Sequence, residues 1–144
     1  MQTLTIENIM IDVESEDKMS AIQRLGKRLV DNGYVDEMYI EGMIARENSL
    51  TTFMANNVAI PHAMPEYTQY IKHSGIVIAQ YRNGVDFGNG NLAHLLIGIA
   101  GIGEDHMDAL SKIAIVCSEE ANVQEILVSN DPQAIIDLIE REGN

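Results

Sequence analysis

Four histidines are the side chains of this sequence best able to change charge or bond near neutral pH: His62, His73, His94 and His106. No two of them stand at a spacing that puts two metal ligands on one helix face. A single cysteine, Cys117, rules out a cysteine-rich metal site. The sequence has no glycine-rich loop ending in Gly-Lys-Ser/Thr, no His-Glu-x-x-His pair and no Gly-x-Ser-x-Gly elbow. The run Gly88-Asn89-Gly90-Asn91-Leu92-Ala93 fits the loose dinucleotide pattern. It precedes a strand instead of joining a strand to a helix, so it reads as a glycine-rich turn. His62 stands out by its setting, between Val58-Ala59-Ile60-Pro61 and Ala63-Met64-Pro65. Flanking prolines and a small neighbour hold an imidazole at a rigid strand end, open to a partner. His106 follows Gly101-Ile102-Gly103 in the first turn of a helix, where free backbone N–H groups favour an anion. From the residues alone, a solvated first-turn histidine fits His106 as well. His73, beside Lys72, reads as a surface residue and His94 as a structural one. Cys117, within an apolar helical run, reads as inert packing.

The elements that must position these groups follow from periodicity. Met19, Ile22, Leu25, Leu29 and Val30 predict a helix over about Lys18 to Asn32, stopped at Asn32-Gly33. A second helix is expected from Asp36 to Glu47. Thr51 to Met54 and Val58 to Ile60 read as short strands around the turn-forming Asn56-Asn57. Ser74 to Tyr81 reads as a strand, Arg82-Asn83-Gly84 as a turn and Val85 to Phe87 as a short extended piece. Ala93 to Ala100 is apolar nearly throughout, the mark of a strand buried on both faces. Three helices should close the chain. The first, Glu104 to Ser118, has Met107, Leu110, Ile113, Ala114 and Cys117 in register. The others are Asn122 to Val128 and Pro132 to Arg141. The order predicts one layered α/β domain, residues 1–144, with a mixed sheet flanked by helices.

Composition narrows the partners. The chain has 144 residues, 46% hydrophobic and 22% charged, as expected of an ordered globule. Nine Lys plus Arg against 22 Asp plus Glu give a net charge of −13. That balance disfavours nucleic acid and anionic membranes and suits a partner with a basic face, although solubility alone also explains it. No apolar stretch reaches the ~20 residues needed to cross a bilayer. The start, Met1 to Glu7, lacks the basic and apolar parts of a signal peptide. With one unpaired cysteine, a reducing, cytoplasmic setting is expected.

The stretch Asn56-Asn57-Val58-Ala59-Ile60-Pro61-His62-Ala63 resembles the phosphorylation-site motif of EIIA domains in the bacterial phosphoenolpyruvate-dependent sugar phosphotransferase system (PTS), and within that group the mannitol type. Supporting segments are Leu29 to Val35, Gly84 to Gly88, Leu96 to Gly101 and Ser111 to Cys117, so the likeness covers nearly the whole chain. Where the family usually has glycine this chain has Ala63, and Asn57 also stands where glycine is frequent. Asn tolerates positive φ. The resemblance implies the mannitol/fructose-type EIIA fold, a mixed sheet of about five strands. It implies that the phosphocarrier HPr donates a phosphoryl group to Nε2 of His62, which passes it to a cysteine of the EIIB domain of a mannitol transporter. By the same likeness His106 hydrogen-bonds the phosphate and Arg46 stabilises its charge; otherwise Arg46 would be a solvated helix-end arginine. No cofactor and no metal are implied. A fructose-type or related polyol EIIA is the alternative, as is a regulatory module that signals through phosphorylated His62. An apolar patch around His62, including Met64 and Phe53, is the expected docking surface, with acidic residues at its rim.

Overall fold

The computed structural model describes residues 4–143. Residues 1–3, which open the stretch read above for a signal peptide, lie outside them. Two long apolar strands form the centre, β4 (Gly75–Asp86) and β5 (Leu92–Ala100), paired antiparallel with Ile76 opposite Ile99 and Ile78 opposite Ile97. Both have helices on both faces, which is why neither alternates polar with apolar. The short strands attach outside this pair. β1 (Ile9–Met10) runs parallel to β4 and β3 (Val58–Ala59) parallel to β5, while β2 (Phe53–Met54) runs antiparallel to β3. The order β1-β4-β5-β3-β2 makes the mixed five-stranded sheet the resemblance implied.

Alternate side chains of the central strands enter two cores. Val77, Ala79, Tyr81 and Leu96 pack with α1 (Lys18–Asp31) and α2 (Met38–Ser49). Ile76, Ile78, Leu95, Ile97 and Ile99 pack with α3 (Glu104–Cys117), α4 (Glu120–Val128) and α5 (Pro132–Glu142). The Asp17 carboxylate accepts from the backbone N–H of Ser20 at 2.9 Å and starts α1. Asp131 does the same for α5 through Gln133 at 3.0 Å, with Pro132 in the first position.

Four sequence expectations change. Arg82-Asn83-Gly84 is no turn: β4 runs on to Asp86 across a register shift between Gln80 and Val85, with Gly84 at φ +81°. The shift absorbs the extra residues as a bulge, and the chain reverses at Gly88–Asn91 instead. α2 begins at Met38, not Asp36, and continues to Ser49; Asp36 stands ahead of it and accepts from the Met38 N–H. The strands β2 and β3 keep only two residues each. The buried face of α3 is Ala109, Ile113, Val116 and Cys117, while Met107 is 61% and Ile115 46% exposed. This phase is set where α3 begins. A Cβ at Gly101 would lie 2.4 Å from Cα of His106, so the chain passes tightly there and turns His106 inward and Met107 outward. Strand β1 and a 3-10 helix, Pro65–Tyr70, have no periodic signature and were not foreseen.

Gly101→Ala should therefore cost about 1–3 kcal/mol of stability, the usual cost of overpacking. Urea unfolding measures this directly; an unchanged midpoint would show that the approach of α3 is looser than described.

Candidate functional site

Strand β3 is too short to hold itself, so its far end is anchored by neighbours. The N–H of Ile60 donates to Thr52 O at 3.0 Å, and the N–H of Ile99 donates to Pro61 O at 3.0 Å. His62 follows immediately, half-buried, with Nδ1 2.8 Å from Ile60 O. A carbonyl oxygen only accepts, so Nδ1 carries the hydrogen and Nε2 keeps a free lone pair. His106 reaches the same place from the first turn of α3, the His62 and His106 ring centroids lying 5.5 Å apart at 54°. Arg46 arrives from the last turn of α2, where its guanidinium donates to Leu50 O and caps its own helix. The capping and the cavity-lining positions are thus compatible in one side chain.

These three side chains, with Tyr39, Met64 and Gly103, line a cavity of about 280 Å³. Burial holds the His62 imidazole below its ordinary pKa. The Ile60 bond opposes that, and the charge of Arg46 and the nearness of His106 lower it further. Burial lowers His106 as well. Two uncharged imidazoles beside one permanent cation make a site that can accept an anionic group without first losing a proton.

The other candidates stay away. His73 is exposed ahead of β4. His94 lies at the opposite end of the sheet, its Nδ1 3.2 Å from Tyr81 O and 3.1 Å from Arg82 O, holding the bulge. It lines a larger cavity of about 530 Å³ with Arg82 and Asn57. Size does not make that cavity the site, because His62, His106 and Tyr39, all shifted by burial, line the smaller one together. Cys117 is buried and its thiol is pushed up to about 12, so it stays protonated packing. Among the described residues no group of three or more His, Cys, Asp or Glu could hold a metal, and no helix is long and apolar enough to cross a membrane. Met64 lines the cavity, whereas Phe53 is half-buried against Phe87, ring centroids 6.1 Å apart, in the core under α1 and α2.

Two neighbours of the site were not read from the sequence. Glu47 is a buried carboxylate that accepts from the N–H and hydroxyl of Thr52 at 2.9 and 2.6 Å and pairs with Lys18 at 3.4 Å. It ties the end of α2, beside Arg46, to the entry of β2. Tyr39 is buried, its hydroxyl bonded to Ile99 O and to the N–H of Ala63. In the sequence Tyr39 stands near the start of the second helix with no motif around it that would mark a role at the site. Asn56 and Asn57 both take left-handed φ, +61° and +64°, in the β2–β3 turn, so asparagine serves there as anticipated. The Asn56 amide also donates to Cys117 O at 2.8 Å and caps the far end of α3.

Fold and site together define a small α/β protein that presents a neutral imidazole beside a fixed cation. Residues 2–142 match the family model for the EIIA 2 component of the phosphoenolpyruvate-dependent sugar phosphotransferase system. The chain is 46% identical over 139 residues, 96% of each chain, to the mannitol-specific phosphotransferase enzyme IIA component of Geobacillus stearothermophilus. It is 44% identical over 136 residues to that of Bacillus subtilis strain 168, covering 94% of this chain and 95% of the relative. The enzyme IIA of a solved Escherichia coli mannitol complex with phosphorylated enzyme IIB has a TM-score of 0.91 at 27% identity, covering 96% of this chain and 98% of that one. The chain belongs to the EIIA type 2 family of the sugar phosphotransferase system.

An NMR titration of the imidazole resonances should place the His62 midpoint below the ordinary 6.5. Both histidines bind protons less readily folded than unfolded. Their contribution to stability is therefore complete above about pH 6.5 and is lost as the pH falls through the folded values. A His62 midpoint at or above 6.5 would contradict burial as the dominant influence.

Proposed function

We propose that this chain is the phosphoryl carrier EIIA of a mannitol PTS, accepting a phosphoryl group from phospho-HPr on Nε2 of His62 and delivering it to the cysteine of a cytoplasmic EIIB domain. The observation that carries this is the bond from Nδ1 of His62 to Ile60 O, which leaves Nε2 as the nucleophile beside His106 and Arg46. In the forward step the Nε2 lone pair bonds to phosphorus while the P–N bond of the donor phosphohistidine breaks and its electron pair returns to the donor ring. In the second step a thiolate sulfur bonds to phosphorus and the P–Nε2 bond breaks, restoring neutral His62. No proton has to leave the attacking nitrogen, which suits an imidazole kept uncharged by burial. The charge spread over the three transferred oxygens is met by the Arg46 guanidinium and a His106 N–H, so transfer is a matter of positioning and charge.

The mannitol assignment rests on relatives of mannitol type at 40–46% identity. The pairing with EIIB is supported by the E. coli complex. Exposed Ile102 and Met107 flank His106 and, with Met64 at the cavity, present an apolar surface that a partner can cover. The net charge of −13 favours donors with a basic face.

Incubation with phosphoenolpyruvate, Enzyme I and HPr should yield an acid-labile, base-stable phosphoprotein, and His62→Ala should abolish it. Label retained in that variant would sink the proposal. His106→Ala and Arg46→Ala should fold normally and transfer about 10- to 100-fold more slowly, the range for losing a hydrogen bond to a charged group. Met107→Asp should raise the KM for the donor with little change in the maximal rate, and an unchanged KM would remove α3 from the docking surface.

A further inference from the structure

His62 is held by bonds on both of its sides, and both lead to one residue. On the N-terminal side Pro61 O accepts from the N–H of Ile99 at 3.0 Å. On the C-terminal side the Ala63 N–H donates to the Tyr39 hydroxyl at 3.3 Å, and that hydroxyl donates to Ile99 O at 2.8 Å. The circuit Ile99–Pro61–His62–Ala63–Tyr39–Ile99 encloses the reactive residue, and the phenol is its only side-chain link. Tyr39 is 2% exposed, and burial pushes its phenol up to about 12, so the hydroxyl stays a neutral donor at any working pH.

Helix α2 repeats this support along one face. Tyr39, Gly42 and Arg46 are three and four residues apart and so share a side of the helix. Tyr39 holds Ala63. Gly42 O accepts from the Met64 N–H at 3.3 Å, and Arg46 lines the cavity into which His62 opens. A Cβ at Gly42 would lie 2.4 Å from the ring of Tyr67, so the segment after His62 is laid directly against the helix backbone. The two contacts differ in kind. Gly42 offers a backbone carbonyl that almost any residue would supply, whereas the Ala63 tie depends on one phenolic oxygen.

We propose that Tyr39 is a positioning residue for phosphoryl transfer: through Ala63 and Ile99 its hydroxyl fixes the backbone on which the His62 imidazole is oriented. It touches neither the reacting nitrogen nor the incoming group. Its effect is to keep Ile60 O within reach of Nδ1, so that one tautomer, with Nε2 free, is populated. Without the hydroxyl, Ala63 N–H and Ile99 O lose a buried partner. The 61–63 backbone then relaxes and the imidazole can carry its proton on either nitrogen. The proposal rests on His62 being the phosphoryl acceptor.

The test is Tyr39→Phe, which keeps the ring and removes one oxygen. Nitrogen-15 spectra of the free protein should show His62 as a single Nδ1–H tautomer in the native chain and as a mixture in the variant. In the phosphoryl-transfer assay the maximal rate should fall about ten-fold while the KM for the donor stays within about two-fold. A native rate, a loss confined to KM, or a slowed rate with the tautomer unchanged would each overturn the proposal. The tautomer measurement needs no donor protein, so failure of labelling in the native chain would refute the carrier function separately. Amide exchange in the native chain decides the matter if the variant does not fold: the Ala63 N–H should exchange slowly, and exchange at the unfolded-chain rate would refute the bond.

Discussion

The parallel pairing of β3 with β5 is the interaction on which the rest of the molecule depends. Only Val58 and Ala59 make the ladder, opposite Leu95 and Leu96, yet this pairing lays the chain that carries His62 along the strand that leads to His106. Two residues cannot sustain a strand, so the contact is prolonged by the bond that the Ile99 N–H donates to Pro61 O, and on the β2 side the Ile60 N–H donates to Thr52 O. Asn56 completes the frame by capping α3 from the turn before β3. The helix bearing one histidine is thus tied at its far end to the turn that begins the strand bearing the other.

Burial does the electrostatic work at this site. A solvated histidine pair would be partly protonated near neutral pH and would repel one another and Arg46. Half-buried, both rings favour the neutral form, and among the described residues that line the cavity the permanent charge is the Arg46 guanidinium. Glu47, nearby but satisfied by Thr52 and Lys18, offsets part of that charge without facing the cavity. Acidic residues also stand close by, because the first turn of α3, which carries His106, also carries Glu104 and Asp105.

Much of the frame was legible because its signals are local. The helical spacing of Ile22, Leu25 and Leu29 and the nearly continuous apolar run of β5 each report burial on one or two faces. The errors fall where two readings of one segment are locally equal. Arg82-Asn83-Gly84 suits either a reversal or a bulge, and only pairing with β5 across the register shift selects the bulge. Met107 and Ile115 satisfy the apolar periodicity of α3 as well as Val116 does. The approach at Gly101 chose among the phases.

By itself the sequence determined that His62 would be a constrained histidine at a strand end. It also determined that His106 would open a helix and that the layers would alternate as they do. These follow from proline geometry, glycine placement and periodicity, which act over a few residues. Tertiary structure alone decided that the two rings lie 5.5 Å apart, that Nδ1 and not Nε2 of His62 is occupied, and that Tyr39 and Glu47 support the site. Each of these depends on hydrogen bonds or burial that no local pattern encodes, because they exist only after β3 has paired with β5 and α2 has packed across them.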